Sequence, residues 1–71
     1  MADEHDTTIP LIMPVDEALA FSQLLKRMSY SDCERLAARR SYYGKRAERD
    51  VMWSSVQSVQ RQLAQAGFAP R

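Results

Sequence analysis

The sequence predicts an all-α fold: a small bundle of two long helices at about residues 14–28 and 45–66, a short helix at about 32–43, and an extended or short-strand arm at 8–13. Three observations carry this prediction. Met52, Val56, Val59, Leu63 and Ala66 recur at spacings of 4, 3, 4 and 3, a heptad-type apolar seam down one side of a helix. Pro14, Ala18, Phe21, Leu25 and Met28 repeat the same spacing, so the two seams can bury each other. Ser31-Asp32-Cys33-Glu34 has the S-x-x-E form of a capping box, which starts a further helix between them.

Taken in order, residues 1–7 read as a disordered acidic arm and 8–71 as a single helical domain. Thr8-Ile9-Pro10-Leu11-Ile12-Met13 is rich in β-branched and apolar side chains. Pro10 lacks an N–H, so a strand here has to be an edge or leave a gap in its ladder. The first long helix is expected to start with Pro14 at its first position, and Asp16 and Glu17 favour the positive end of its dipole. Leu24 widens its stripe, whereas Leu19 falls among polar neighbours and suits contact with another element or a second chain.

The short helix is expected from Asp32, with Cys33, Leu36 and Ala37 inward and Gly44 as its end. One continuous helix to Ala66 would rotate this stripe by roughly 110° from the Met52–Leu63 seam, at ~100° per residue. A break between Arg40 and Lys45 is therefore expected, where Gly44 inside a helix would also cost ~1 kcal/mol relative to Ala. The last helix carries its own stop: Gly67 for a left-handed residue, Phe68 to fold back on Leu63, and Pro70 to prevent resumption.

A chain of 71 residues has room for one domain and a modest core, and proteins of this size often gain stability by oligomerising. Cys33 is the only cysteine, which rules out an internal disulfide and fits a reducing, cytoplasmic setting. The acidic start MADEHDTT has no apolar core of a signal peptide, and no long apolar run suits a membrane span. The net charge of +1 hides an asymmetry. Residues 1–17 hold five acids and no Lys or Arg, while residues 26–49 hold eight bases against three acids, a net +5. Such a block attracts nucleic acid or an acidic protein surface, or is a solvated face with the acidic arm as its counterweight.

Nothing in the sequence assembles a catalytic, cofactor or metal site. His5 stands alone in the acidic arm, no base is placed to activate Cys33 or a serine, and Gly44 and Gly67 are better explained as helix stops than as a phosphate loop. The candidate partner- or nucleic-acid-binding residues are Arg35, Arg39, Arg40, Tyr42, Lys45, Arg46, Arg49 and Trp53. Trp, Tyr and Arg are the usual anchors of interfaces, and aromatics interleaved with bases also suit a nucleic-acid backbone. Trp53, ~100° off the seam, is either buried by the short helix or an anchor of this kind.

Two resemblances add to this reading. Residues 8–43, an apolar extended run followed by two helices and a Ser-containing turn, resemble the ribbon-helix-helix repressors. The resemblance implies paired N-terminal strands in a dimer, with Thr8, Pro10 and Ile12, or Ile9, Leu11 and Met13, reading bases and Ser31 and Asp32 at a phosphate. Apart from Thr8, neither set offers a polar side chain to base edges. Residues 18–71 are similar to an uncharacterised family of short proteins encoded by proteobacterial plasmids and integrative elements. The likeness rests on Leu25-Lys26-Arg27, Tyr30-Ser31-Asp32 and the ending LAQAGFAPR. It implies a mobile-element setting and no activity.

The expectation is thus a cytoplasmic, non-enzymatic helical interaction module, homodimeric and acting on a larger protein partner. An inhibitor of a host defence complex, of the anti-CRISPR kind, is one version. The alternative is a DNA-binding regulator of ribbon-helix-helix type.

Overall fold

The computed structural model describes residues 6–68. Most of the arm expected at 1–7, and the Pro70 stop, lie outside the described residues. Three helices and a two-stranded sheet follow in the order α1 (Val15–Arg27), α2 (Tyr30–Leu36), β1 (Tyr42–Tyr43), β2 (Arg46–Ala47) and α3 (Glu48–Gln65). The chain is mostly helical, but the all-α expectation gives way to helices plus a small antiparallel hairpin.

α3 packs against α1, α2 and both strands, so every other element rests on it. The core takes one buried side chain from each helix: Leu25 of α1, Cys33 of α2 and Val56 of α3. Phe21, Met28, Met52, Trp53, Val59 and Leu63 close around them. Both seams thus meet along their middles. Their outer ends, Pro14 and Ala66, are exposed, and so is Leu24. Full burial of a side chain such as Leu25 or Val56 contributes ~1.5–3 kcal/mol.

Helix α1 begins one residue later than expected, with Pro14 as its N-cap and the Pro14 carbonyl accepting from the Ala18 N–H at 3.0 Å. Ser22 faces the interior and satisfies its hydroxyl by donating to the Leu19 carbonyl at 2.9 Å. The end of α3 follows the expected stop. Gly67 takes a φ of 95°, its N–H donates to the Ala64 carbonyl at 3.0 Å, and the Phe68 N–H donates to the Leu63 carbonyl at 2.8 Å. Together these bonds form a Schellman motif that satisfies carbonyls the helix would leave open.

The short helix departs from expectation at both ends. Its cap is Ser29, not Ser31: the Asp32 N–H donates to Ser29 Oγ at 3.2 Å and the Ser29 N–H donates to Asp32 Oδ2 at 2.9 Å. Both serines have an acid three residues on, so local chemistry allows either register. Tertiary contact decides between them. Starting at Tyr30 sets that ring edge-on against Trp53, with centroids 6.3 Å apart at 87°, and lets its hydroxyl donate to Asp50 at 2.7 Å.

The helix then ends at Leu36 rather than near Gly44. Cys33 is buried and Ala37 half-buried as expected, but Leu36, expected inward, is 57% exposed. Leu36 is the last residue of α2 and Ala37 is already its extended C-cap, so the i, i+3, i+4 face is cut short there. Residues expected to continue it form a loop and the hairpin, where Tyr42 pairs with Ala47 and Tyr43 with Arg46. Gly44 is therefore no helix stop. With Lys45 it makes a two-residue turn, and its φ of 65° supplies the positive first position that a II′-type hairpin turn requires.

Residues 6–14 carry neither helix nor strand. The arm expected at 8–13 forms no strand, and Ile9, Leu11 and Ile12 are 72%, 57% and 97% exposed.

Candidate functional site: a basic cleft beside the hairpin

One side chain holds the loop that leads into the hairpin. Glu48 stands in the first turn of α3, whose N-cap, Ala47, has no side-chain oxygen to offer. Its Oε1 accepts from the Ala38 N–H at 2.8 Å, and its Oε2 accepts from Ser41 Oγ at 2.9 Å and from the Tyr43 hydroxyl at 3.3 Å. The Glu48 N–H donates in turn to the Ser41 carbonyl at 2.9 Å. The loop thus caps α3, and α3 fixes the loop. These donors, Ala38 N–H first and the Ser41 hydroxyl next, hold the Glu48 carboxyl below its ordinary pKa.

Between the end of α2, this loop and the start of α3 lies a cleft of about 350 Å³. Its walls include Arg39, Arg40, Tyr42 and Arg49, half of the eight candidate residues. Arg39 and Arg40 are exposed loop residues with no hydrogen bond or ion pair among the described residues. Arg40 holds a φ of 60°, the left-handed region that residues other than glycine adopt rarely. Arg49 donates from Nε to the Tyr30 hydroxyl at 3.0 Å. That hydroxyl also donates to Asp50, and this bond raises the Tyr30 pKa above its ordinary value.

The other candidates lie apart from the cleft walls. Arg35 pairs with Asp32 at 3.1 Å on the exposed side of α2. Lys45 sits at the hairpin tip, and Arg46 donates to Ser54 Oγ at 2.7 Å on α3. Trp53 is half-buried, packed on the core and edged by Tyr30. The sequence reading missed Glu48, Ser41 and Ala38 as the frame of this region. The pairing joins residues 7 and 10 positions apart across a loop, which no local motif signals.

A second, larger groove of about 910 Å³ runs between the arm and the outer seams, with Thr8, Ile9, Leu11, Phe21, Val59 and Leu63 among its walls. Among the described residues no cluster of His, Cys, Asp and Glu could hold a metal ion, and no helix is long and apolar enough to cross a membrane.

The fold defines a small, mostly helical protein with a basic loop locked onto its central helix. The chain belongs to DUF7706, a family of unknown function whose profile matches residues 1–71. No curated protein and no solved structure matches it.

Proposed function

We propose that this protein is a non-enzymatic interaction module that self-associates through its N-terminal arm and the outer side of α1, and binds a larger protein partner through the 35–49 segment. The observation that supports this reading is the apolar surface left uncovered: Ile9 at 72%, Ile12 at 97%, Val15 at 64% and Leu19 at 50% exposure, contiguous in sequence with Leu11. Val15 and Leu19 are one helical turn apart, so they form an apolar strip along one side of α1. A second copy is the economical cover for such a surface in a chain whose own core is this small. The mobile-element setting implied by the resemblance suits a small cytoplasmic protein that acts by occluding a larger assembly, such as a host defence complex.

Light scattering tests the self-association. The expected result is a dimer that Ile12→Asp combined with Leu19→Asp converts to a folded monomer. A wild-type monomer at high concentration would overturn it. The DNA-binding reading is favoured by Arg39 and Arg40, which have no partner among the described residues. Against it, the N-terminus of α2 is filled by the reciprocal Ser29–Asp32 cap, which puts a carboxylate where the ribbon-helix-helix layout needs a phosphate. Failure of duplex DNA to bind at low salt, where phosphate neutralisation is strongest, would remove that alternative.

A further inference from the structure

We propose that the cleft beside the hairpin receives a carboxylate side chain from an acidic segment of the protein partner, with Arg39 and Arg40 as the cations that clasp it. The proposal deepens the protein-binding reading and rests on it. Two guanidinium groups on one short loop stand at the cleft without an internal partner among the described residues. Arg49, on the opposite wall, is tied to Tyr30 through Nε. Guanidinium forks match carboxylates geometrically and form the stronger, charge-assisted class of hydrogen bond.

The walls are also preformed. Ala38, Ser41 and Glu48 clamp both ends of the Arg39–Arg40 dipeptide through bonds of 2.8–2.9 Å. A partner therefore meets a loop whose ordering cost is already met. Arg40 keeps its side chain in a backbone conformation where glycine would be more comfortable, and such positions concentrate at ligand-binding loops. The half-buried Ala37 and Ala47 add small methyl surfaces to the cleft.

A protein carboxylate suits this site better than a phosphate backbone does. Glu34 and Glu48 lie on the same cleft and offset two of its three arginines, which suits one carboxylate at the Arg39–Arg40 end rather than a run of phosphates along its length. The whole chain has a net charge of +1 and a pI of about 7.9, below the strongly basic balance of nucleic-acid-binding domains.

The test uses a fluorescently labelled Asp/Glu-rich peptide, the same peptide with Asn and Gln replacing its acids, and a labelled DNA duplex, each titrated onto the full chain at low salt. Amide chemical-shift mapping locates the contact. The acidic peptide is expected to bind and to shift the amides of Ala38, Arg39, Arg40 and Ser41, while the neutral peptide does not. Arg39→Ala combined with Arg40→Ala should weaken binding by about tenfold or more, as loss of charge-assisted bonds does. Arg40→Gly keeps the left-handed backbone accessible and should weaken binding without unfolding the loop. Arg27→Ala with Arg61→Ala removes the same charge elsewhere. An equal loss from that pair would mean general attraction and would overturn the cleft assignment. No binding of the acidic peptide by a chain that still dimerises would sink this inference alone. Tighter binding of duplex DNA through the same arginines would overturn both it and the protein-binding reading.

Discussion

The two halves of this molecule are held by different physics. Along α1 and α3 the contact is an apolar seam, and Leu25, Cys33 and Val56 meet with Phe21, Met52, Val59 and Leu63 around them. In the 37–47 segment, Tyr42 and Tyr43 are 61% and 58% exposed, and the bonds that define its path converge on Glu48. A seam spreads its free energy over many weak contacts and is insensitive to salt and pH. A carboxylate hub concentrates it in a few directional bonds. The first arrangement holds the fold and the second shapes a surface.

The comparison breaks most sharply at Leu25. Leu25→Ala should destabilise the whole domain by ~2–4 kcal/mol in urea unfolding, because the cavity opens where all three helices meet. Loop protection, which local opening sets, should change little until the domain as a whole unfolds. A loss under about 1 kcal/mol would mean that the seam is not the main support.

The cap of α2 gives the next largest effect. Ser29→Ala removes the acceptor for the Asp32 N–H and should cost ~1 kcal/mol. Ser31→Ala should stay within about 0.5 kcal/mol, since Ser31 is an exposed residue inside the helix. Thermal melts of the two variants decide between the capping registers, and the reverse order would restore the cap to Ser31.

What could be read from the sequence follows the same division. Apolar periodicity is a repeating, local signal, so α1, α3 and the middles of their seams are visible in spacing, and the stop of α3 in Gly67, whereas the outer seam positions Pro14 and Ala66 are exposed. Both serine registers satisfied the same local rule, and the choice belongs to Trp53 and Asp50, some 20 residues away. The sequence reading carries the short helix through Ala37-Ala38-Arg39-Arg40 to about residue 43. The chain leaves the helix there because the Ala38 N–H is taken by Glu48, while the Tyr42-Tyr43 pair and the Gly44 turn favour a hairpin. The charge run in the sequence marks the whole 26–49 stretch. It could not tell Arg39 and Arg40 at the cleft from Arg35, engaged by Asp32, or Arg46, engaged by Ser54.

Glu48 offers the smallest effect on global stability and the most selective one. E48Q keeps the shape but removes the charge, so thermal unfolding should move little while amide exchange speeds up at Ala38 and through the loop. The pH dependence has a definite sign. The carboxyl of Glu48 is held below its ordinary pKa by the Ala38 N–H and then by Ser41. A carboxylate of this kind contributes its stabilisation above its unfolded-state pKa and loses it as pH falls through the lower folded-state value. Loop protection in the wild type should therefore be complete at neutral pH and decline only on acidification below the usual glutamate range. In E48Q the loop should be looser at every pH, and that decline should vanish. Asp32 supplies an internal control, because the Ser29 N–H depresses its carboxyl in the same direction. The first amides of α2 should thus still loosen on acidification in E48Q. If loop and cap instead respond together in both proteins, the 37–47 segment is not an independently held surface but part of the same cooperative unit as the seam.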